Sequence, residues 1–459
     1  MAGPAGGSSN PINVINDTGM SARQWIVVLM MVLLNALDGF DVLSSAFAAP
    51  GISGEWGIER AALGVVLSAE LVGMGFGSVI LGGMADKYGR KNTMLLCLVL
   101  MAAGMFLASV ADGVTPMVAF RFLTGIGIGG MLAATNAVTA ESSNTAWRKT
   151  AIAAYVAGYP LGAIIGGVAA SEWLLPTYDW RAVFVFGGVV TAALIPVVML
   201  LIPETAAYHA GKGNLAGVNK TLAAFGKPTI DALPPAATGT AKPKVTDILS
   251  NPKLRPITLL LAFGYMFHTI TFYYILKFAV QIVSDYPPGY APADAATVLT
   301  WANVGGFTGS LLFGFVMARL GIRWPTALML LIGSAAVASF GLGRETLSAW
   351  QWATILTGFF TNAAISGYYA AFARGFPAYA RATGTGFVLG IGRLGAAGSP
   401  IIAGALFTWL GNSELLTVSL IMATGSVASL VLFLMLPERE GDEVIAADAE
   451  AAAKAGAVA

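Results

Sequence analysis

Apolar runs of about the twenty residues that a helix needs to cross a bilayer recur twelve times along the chain, separated by polar breaks. They fall at 25–49, 60–83, 92–111, 115–140, 149–173, 180–202, 257–283, 295–318, 325–343, 349–373, 382–410 and 413–436. Within each run the apolar positions are close to continuous, which predicts membrane-spanning helices. The one long break, from Glu204 to Arg255, is polar and carries the helix breakers Lys227-Pro228 and Pro234-Pro235. It reads as a linker with a short surface helix over 214–225. Six runs lie on either side. The expected fold is therefore an all-α membrane protein of twelve transmembrane helices in two six-helix bundles. Its parts are an N-terminal segment 1–22, a bundle 23–203, the linker 204–255, a second bundle 256–437 and a tail 438–459.

The two halves also repeat. Leu123-Thr124-Gly125 recurs as Leu356-Thr357-Gly358, and Ile202-Pro203-Glu204 as Leu436-Pro437-Glu438. The stretch Gly82 to Lys91 has an echo at Gly314 to Arg323, with Ala318 in place of Asp86. The offsets of 233, 234 and 232 are consistent along the chain. A parallel repeat of this kind marks a transporter whose halves rock about a central site.

Composition narrows the class. Of 459 residues 56% are hydrophobic and 11% charged, against roughly 45–50% and 25% in soluble domains, which argues against a water-soluble enzyme. A net charge of +1 gives no reason to expect nucleic acid as a partner. The single cysteine, Cys97, lies inside an apolar run and reads as a small packing residue. The segment Met1 to Met20 lacks the basic start of a secretory signal. If the N-terminus is cytoplasmic, 19 of the 25 Lys and Arg residues fall on that face. This asymmetry places both termini in the cytoplasm.

Charge inside a span is costly and marks function by default. Asp38 and Asp41 lie in the first run, three residues apart and so on one helix face. A purely structural buried pair is the alternative. Burial and a neighbouring cation act on a carboxyl in opposite directions, which lets a site change protonation when its access switches. Arg121, in the fourth run, differs from Asp41 in depth by roughly 4 Å at 1.5 Å per residue. The two read either as a proton-coupling pair or as a permanent ion pair. Glu70, mid-way along the second run, either joins this cluster or is a neutral hydrogen-bonded acid.

In the second half, Arg393 stands among Gly390, Gly392 and Gly395 in the eleventh run. Apart from Glu414 at the very start of the last run, no Asp or Glu falls within the runs of that half, so a substrate carboxylate, gripped by two parallel hydrogen bonds, is favoured over an internal acid. His268 reads equally as a donor to substrate, a proton shuttle or a satisfied core residue. Lys277 would snorkel to the surface or attract an anion. Tyr273, Tyr274, Tyr368 and Tyr369 offer aromatic faces with a hydroxyl suited to a ring, though packing is the commoner role for each. Asn303 and Asn362 are further candidate donors. Glu141 and Arg374 occupy repeat-equivalent positions and read as gate or packing charges.

Gly82-Gly83-Met84-Ala85-Asp86-Lys87-Tyr88-Gly89-Arg90-Lys91 resembles, almost position by position, the signature loop between helices 2 and 3 of the major facilitator superfamily. Arg121-Phe122-Leu123-Thr124-Gly125 with the glycines that follow resembles its helix 4 motif, and Pro203-Glu204-Thr205 the end of its helix 6. The resemblance implies an inner, cytoplasmic gate latch made by Asp86 and Arg90, and a proton-coupling role for Asp41 with Arg121. Asp38-Gly39-Phe40-Asp41 resembles the aromatic acid:proton symporter family, although sugar and organic-ion porters also carry an acid at the place of Asp41. The Gly-Pro-x-x-Gly-Gly pattern of drug antiporters is absent, Pro160 being out of register. No nucleophile, metal cluster or nucleotide loop is present in the sequence.

The expected function is a secondary transporter, not an enzyme, that imports an aromatic carboxylate with protons by alternating access. Benzoate, hydroxybenzoate and related lignin-derived acids are the expected class. An exporter or porter of another organic anion, or a non-transporting receptor on the same fold, are the rivals. Protons are the coupling ion and no cofactor is expected. The expected setting is a monomer in the bacterial inner membrane, its partners a small aromatic anion and the lipid bilayer.

Overall fold

The structure, a computed structural model, describes residues 10–233, 244–377, 379–411 and 413–437. The breaker Pro234-Pro235 and the tail 438–459 lie outside them. Twelve long helices appear where the apolar runs predict them, and no strand occurs among the described residues. The first six are α1 Ala22–Trp56, α2 Arg60–Tyr88, α3 Arg90–Ser109, α4 Val114–Ser142, α5 Arg148–Ala169 and α6 Arg181–Leu201. A π-helical turn, Ala170–Leu174, and Leu175–Thr177 prolong α5. The second six are α7 Leu254–Asp285, α8 Pro292–Leu320, α9 Arg323–Phe340, α10 Leu347–Gly375, α11 Arg381–Leu410 and α12 Leu415–Leu434.

Eleven of these are long and apolar enough to cross a membrane. The other, α10, has the length, 29 residues, but a line of hydroxyls lowers its hydropathy. Thr354, Thr357 and Thr361 each donate back to a carbonyl of their own helix, so the polar groups are satisfied without water. The linker forms the short helix Leu215–Ala224, capped by Asn214.

Small residues set which helices touch. In α2 and α4 the glycines are reciprocal: a side chain on Gly73 or Gly77 would strike the Phe122 or Ile126 carbonyl, and one on Gly125 or Gly129 the Glu70 or Met74 carbonyl. Gly158 and Gly162 of α5 sit likewise on the Val32 and Ala36 carbonyls of α1. Backbones can approach this closely only where no Cβ intervenes. The second half repeats the device, with Gly305 and Gly309 of α8 on the Ile355 and Phe359 carbonyls of α10, and Gly358 on that of Ala302.

The chain divides into two compact units, Met1–Ala48 with Ala69–Gly239, and Ala49–Ser68 with Thr240–Ala459. The division differs from the expected bundles 23–203 and 256–437 in one place, since 49–68, the end of α1 and start of α2, belongs to the second unit. The contacts that hold it there are polar as well as small. Gly64 packs on the Pro400 carbonyl and Gly404 on that of Arg60. Arg60 pairs with Asp285 at 3.1 Å and lies 4.3 Å from the Phe407 ring centroid, and the Ala61 N–H donates to Thr408.

Candidate functional site

In the first unit the α2–α4 glycine contact carries two charged side chains into register. Gly125 lies one turn beyond Arg121 and rests on the Glu70 backbone, so the fully buried Arg121 guanidinium meets the fully buried Glu70 carboxylate. Its Nη2 also donates to the backbone carbonyl of Asp41 at 2.7 Å, and its Nη1 to Met105 Sδ at 2.9 Å. The Phe184 ring centroid is 5.3 Å from Cζ. Ser45 donates to Glu70 from the α1 side at 3.4 Å.

Asp38 and Asp41 are completely buried beside this pair, and none of their four carboxylate oxygens takes a hydrogen bond. Gly187 of α6 leaves room for Asp41, since a Cβ there would come within 3.0 Å of Oδ1. Asn35 continues the same α1 face, three residues before Asp38. Its amide donates to the Tyr155 carbonyl at 2.6 Å, and the Tyr155 hydroxyl meets Thr135 at 2.9 Å. The spacing Asn35, Asp38, Asp41 is the signal that identifies Asn35 as part of this polar face.

In the second unit α7 packs on α11 through Gly392, which receives the Tyr265 ring, and Gly395, which rests on the Met266 carbonyl. Thr269 ties the two helices by donating to the Gly392 carbonyl at 2.9 Å. Arg393 follows directly and is half-buried, near enough to act electrostatically on the Tyr265 and Tyr273 hydroxyls. Tyr369 joins them, its hydroxyl 3.5 Å from that of Tyr265. The cluster is therefore Arg393, Tyr265, Tyr273 and Tyr369. Tyr265 was not among the sequence candidates; its spacing of eight from Tyr273, which puts both on one face of α7, is the signal that finds it.

Other candidates point elsewhere. Tyr274 is fully buried with its hydroxyl on Ser419 at 2.8 Å, and Tyr368 likewise on Ser429 at 2.6 Å. Each stands one residue from a cluster member, and that step of about 100° turns it toward α12. His268 is fully buried and uses both ring nitrogens, Nε2 toward the Thr361 carbonyl at 2.9 Å and Nδ1 toward Ser426 Oγ at 2.9 Å. A carbonyl only accepts, so Nε2 carries the proton and Ser426 donates to Nδ1, a neutral imidazole built into the α7–α10–α12 contact. The contact of Gly395 with Met266 matches that of Gly162 with Ala36, and in this register His268 stands where Asp38 stands in the first unit. Asn303 and Asn362 donate to carbonyls of their own helices, at 2.8 and 3.1 Å. Lys277 is fully buried and does not snorkel.

At the linker end of the first unit, Arg90 pairs with Asp86 at 3.1 Å and Glu141 at 3.0 Å. Glu204 accepts from the backbone N–H of Arg90 at 3.0 Å and of Lys91 at 3.1 Å, capping α3 where a helix start carries partial positive charge. Gly89, at φ 104°, allows the approach. Arg374 lies in the last turn of α10, at the linker end of the second unit.

A model of the Major Facilitator Superfamily matches residues 31–291. A gallate transporter of Pseudomonas putida is 30% identical over 90% of this chain and 95% of its own. The 4-hydroxybenzoate transporter PcaK of Pseudomonas putida is 29% identical over 83% and 86%. A 3-(3-hydroxy-phenyl)propionate transporter of Escherichia coli (strain K12) is 28% identical over 91% and 96%. Among solved structures, a bacterial homologue of the human lysosomal transporter Spinster superposes with a TM-score of 0.71 at 15% identity, covering 91% of this chain and 96% of the other.

Proposed function

The chain belongs to the major facilitator superfamily, so it is an integral membrane transporter rather than an enzyme, and we propose that it imports an aromatic carboxylate together with protons. Benzoate or hydroxybenzoate types and related lignin-derived acids are the proposed substrates, carried by alternating access. The proposed setting is the bacterial inner membrane with both termini cytoplasmic. Three relatives named for hydroxylated aromatic acids support the substrate class.

The observation that carries the reading is a division of labour between the units. The second holds a guanidinium amid three tyrosines, which suits a carboxylate on an aromatic ring: the fork of Arg393 takes the carboxylate, and Tyr265, Tyr273 and Tyr369 offer ring faces and hydroxyls. The first holds two buried carboxylates with no hydrogen-bond donors on them. In such a site no hydrogen bond compensates a full negative charge, Arg121 acts on Asp41 only through space, and a travelling proton supplies what is missing. Arg121 and Glu70 satisfy each other beside them, which leaves Asp41 and Asp38 for the coupled proton. Asp86, Arg90 and Glu141 make the cytoplasmic gate.

The test is uptake of radiolabelled 4-hydroxybenzoate by proteoliposomes of the full chain under an imposed proton gradient, inside alkaline. Accumulation above the equilibrium level is expected. Binding without accumulation would make the protein a receptor, and accumulation only under the opposite gradient would make it an antiporter.

A further inference from the structure

One face of α1 carries Asn35, Asp38 and Asp41 at intervals of three, which makes Asn35 and Asp38 neighbours on the helix surface. Both are buried. Asn35 is held in one orientation. Its amide nitrogen donates to the Tyr155 carbonyl at 2.6 Å, and a carbonyl only accepts, so Nδ2 and Oδ1 cannot be exchanged. That leaves Oδ1 as a buried acceptor with no donor on it, on the same face as the two Asp38 oxygens, which are in the same condition.

We propose that Asn35 is a positioning residue for the coupled proton, its Oδ1 accepting the O–H of protonated Asp38. The inference rests on the proton-coupled reading and goes beyond it by naming what holds the proton on Asp38. An ionised Asp38 sets acceptor against acceptor, whereas one proton turns the pair into a hydrogen bond and so favours the neutral acid. The other groups that face Asp38 do not supply that hydrogen. From α5 the Tyr155 hydroxyl is within electrostatic reach, but its hydrogen goes to Thr135 at 2.9 Å, because Thr135 gives its own to the Met131 carbonyl at 2.8 Å. Tyr159, one turn further along α5, lays its backbone carbonyl on Gly39. From α3 Cys97 is within electrostatic reach, and a thiol is a weak donor. On α1 itself Asp41 is a second acid, and the Arg121 guanidinium of α4 is engaged by Glu70 of α2 and by the Asp41 carbonyl. The repeat marks the same position. In the register that sets His268 where Asp38 stands, Tyr265 takes the place of Asn35. The position that joins Arg393 in the second unit thus joins the carboxylates in the first.

The test is the initial rate of 4-hydroxybenzoate uptake by proteoliposomes of the full chain as the external pH is varied above about 6, where the substrate carboxylate stays ionised. Asn35→Ala removes the acceptor and should need about three- to tenfold more external protons for half-maximal uptake, the value of one hydrogen bond. Wild-type uptake indifferent to external protons would remove the proton-coupled reading and the inference with it. A proton-dependent wild-type profile that Asn35→Ala reproduces would overturn the inference alone. A second measurement needs no transport. Infrared difference spectra between acid and alkaline pH report protonated carboxyl groups, and the band lost in Asp38→Asn is that of Asp38. In Asn35→Ala the midpoint of this band should move to more acid pH by the same factor, and an unmoved midpoint would overturn the proposal.

Discussion

Arg121 pairs with Glu70, and the atom of Asp41 that it reaches is the backbone carbonyl rather than a carboxylate oxygen. The ion pair is therefore satisfied without the acid assigned to proton transfer, and the two tasks can be separated by mutation. Glu70→Gln strands a buried guanidinium and should destabilise the protein by about 3–5 kcal/mol. Adding Arg121→Gln should recover part of that loss, because neither charge is then left alone. Chemical unfolding of the purified single and double variants gives the cycle. Additive losses would show that the pair is not a coupled unit.

For the substrate cluster, Arg393→Ala should weaken 4-hydroxybenzoate binding by roughly 10- to 100-fold. Arg393→Lys should restore it only partly, since an ammonium lacks the planar fork. Tyr265→Phe should have a smaller effect than Arg393→Ala, while Tyr274→Phe should leave binding unchanged because its hydroxyl faces Ser419. Isothermal titration on one preparation compares all four. Unchanged affinity in both Arg393 variants would assign that residue to structure.

The Arg60–Asp285 contact predicts an asymmetry between its two partners. Asp285 is 41% exposed in its side chain, so screening holds the Coulomb part to about 1 kcal/mol or less. Asp285→Asn should then lower the melting temperature only slightly. Arg60→Ala also loses the Phe407 ring, another ~0.5–2 kcal/mol, and should lower it more. Equal effects in thermal unfolding would mean that the ring contact contributes nothing.

The sequence revealed what depends on local composition. The twelve spans follow from hydropathy, and Asp38, Asp41, Glu70, Arg121 and Arg393 stand out because charge is rare in apolar runs. Helix rotation was harder to read. Four tyrosines in two adjacent pairs look alike on paper, yet Tyr273 and Tyr369 join Arg393 while Tyr274 and Tyr368 turn to α12. The partner of Arg121 was likewise hidden in a non-local fact, the reciprocal glycines of α2 and α4 that bring Glu70 closer than depth alone suggests. For Ala49–Ser68, no break in hydrophobicity marks the point where α1 and α2 pass from one unit to the other. Glu204 was visible as part of a repeated Pro-Glu, but its capping of α3 needs the chain to fold back 114 residues.

Coupling itself is tested most directly by following the proton. When 4-hydroxybenzoate is added to a weakly buffered suspension of proteoliposomes, symport predicts that the external medium becomes more alkaline in step with uptake. The change should exceed that of protein-free liposomes and vanish in Asp41→Asn, which retains substrate binding because Arg393 is untouched. Uptake with no pH change beyond the protein-free control, or acidification of the medium, would contradict proton symport.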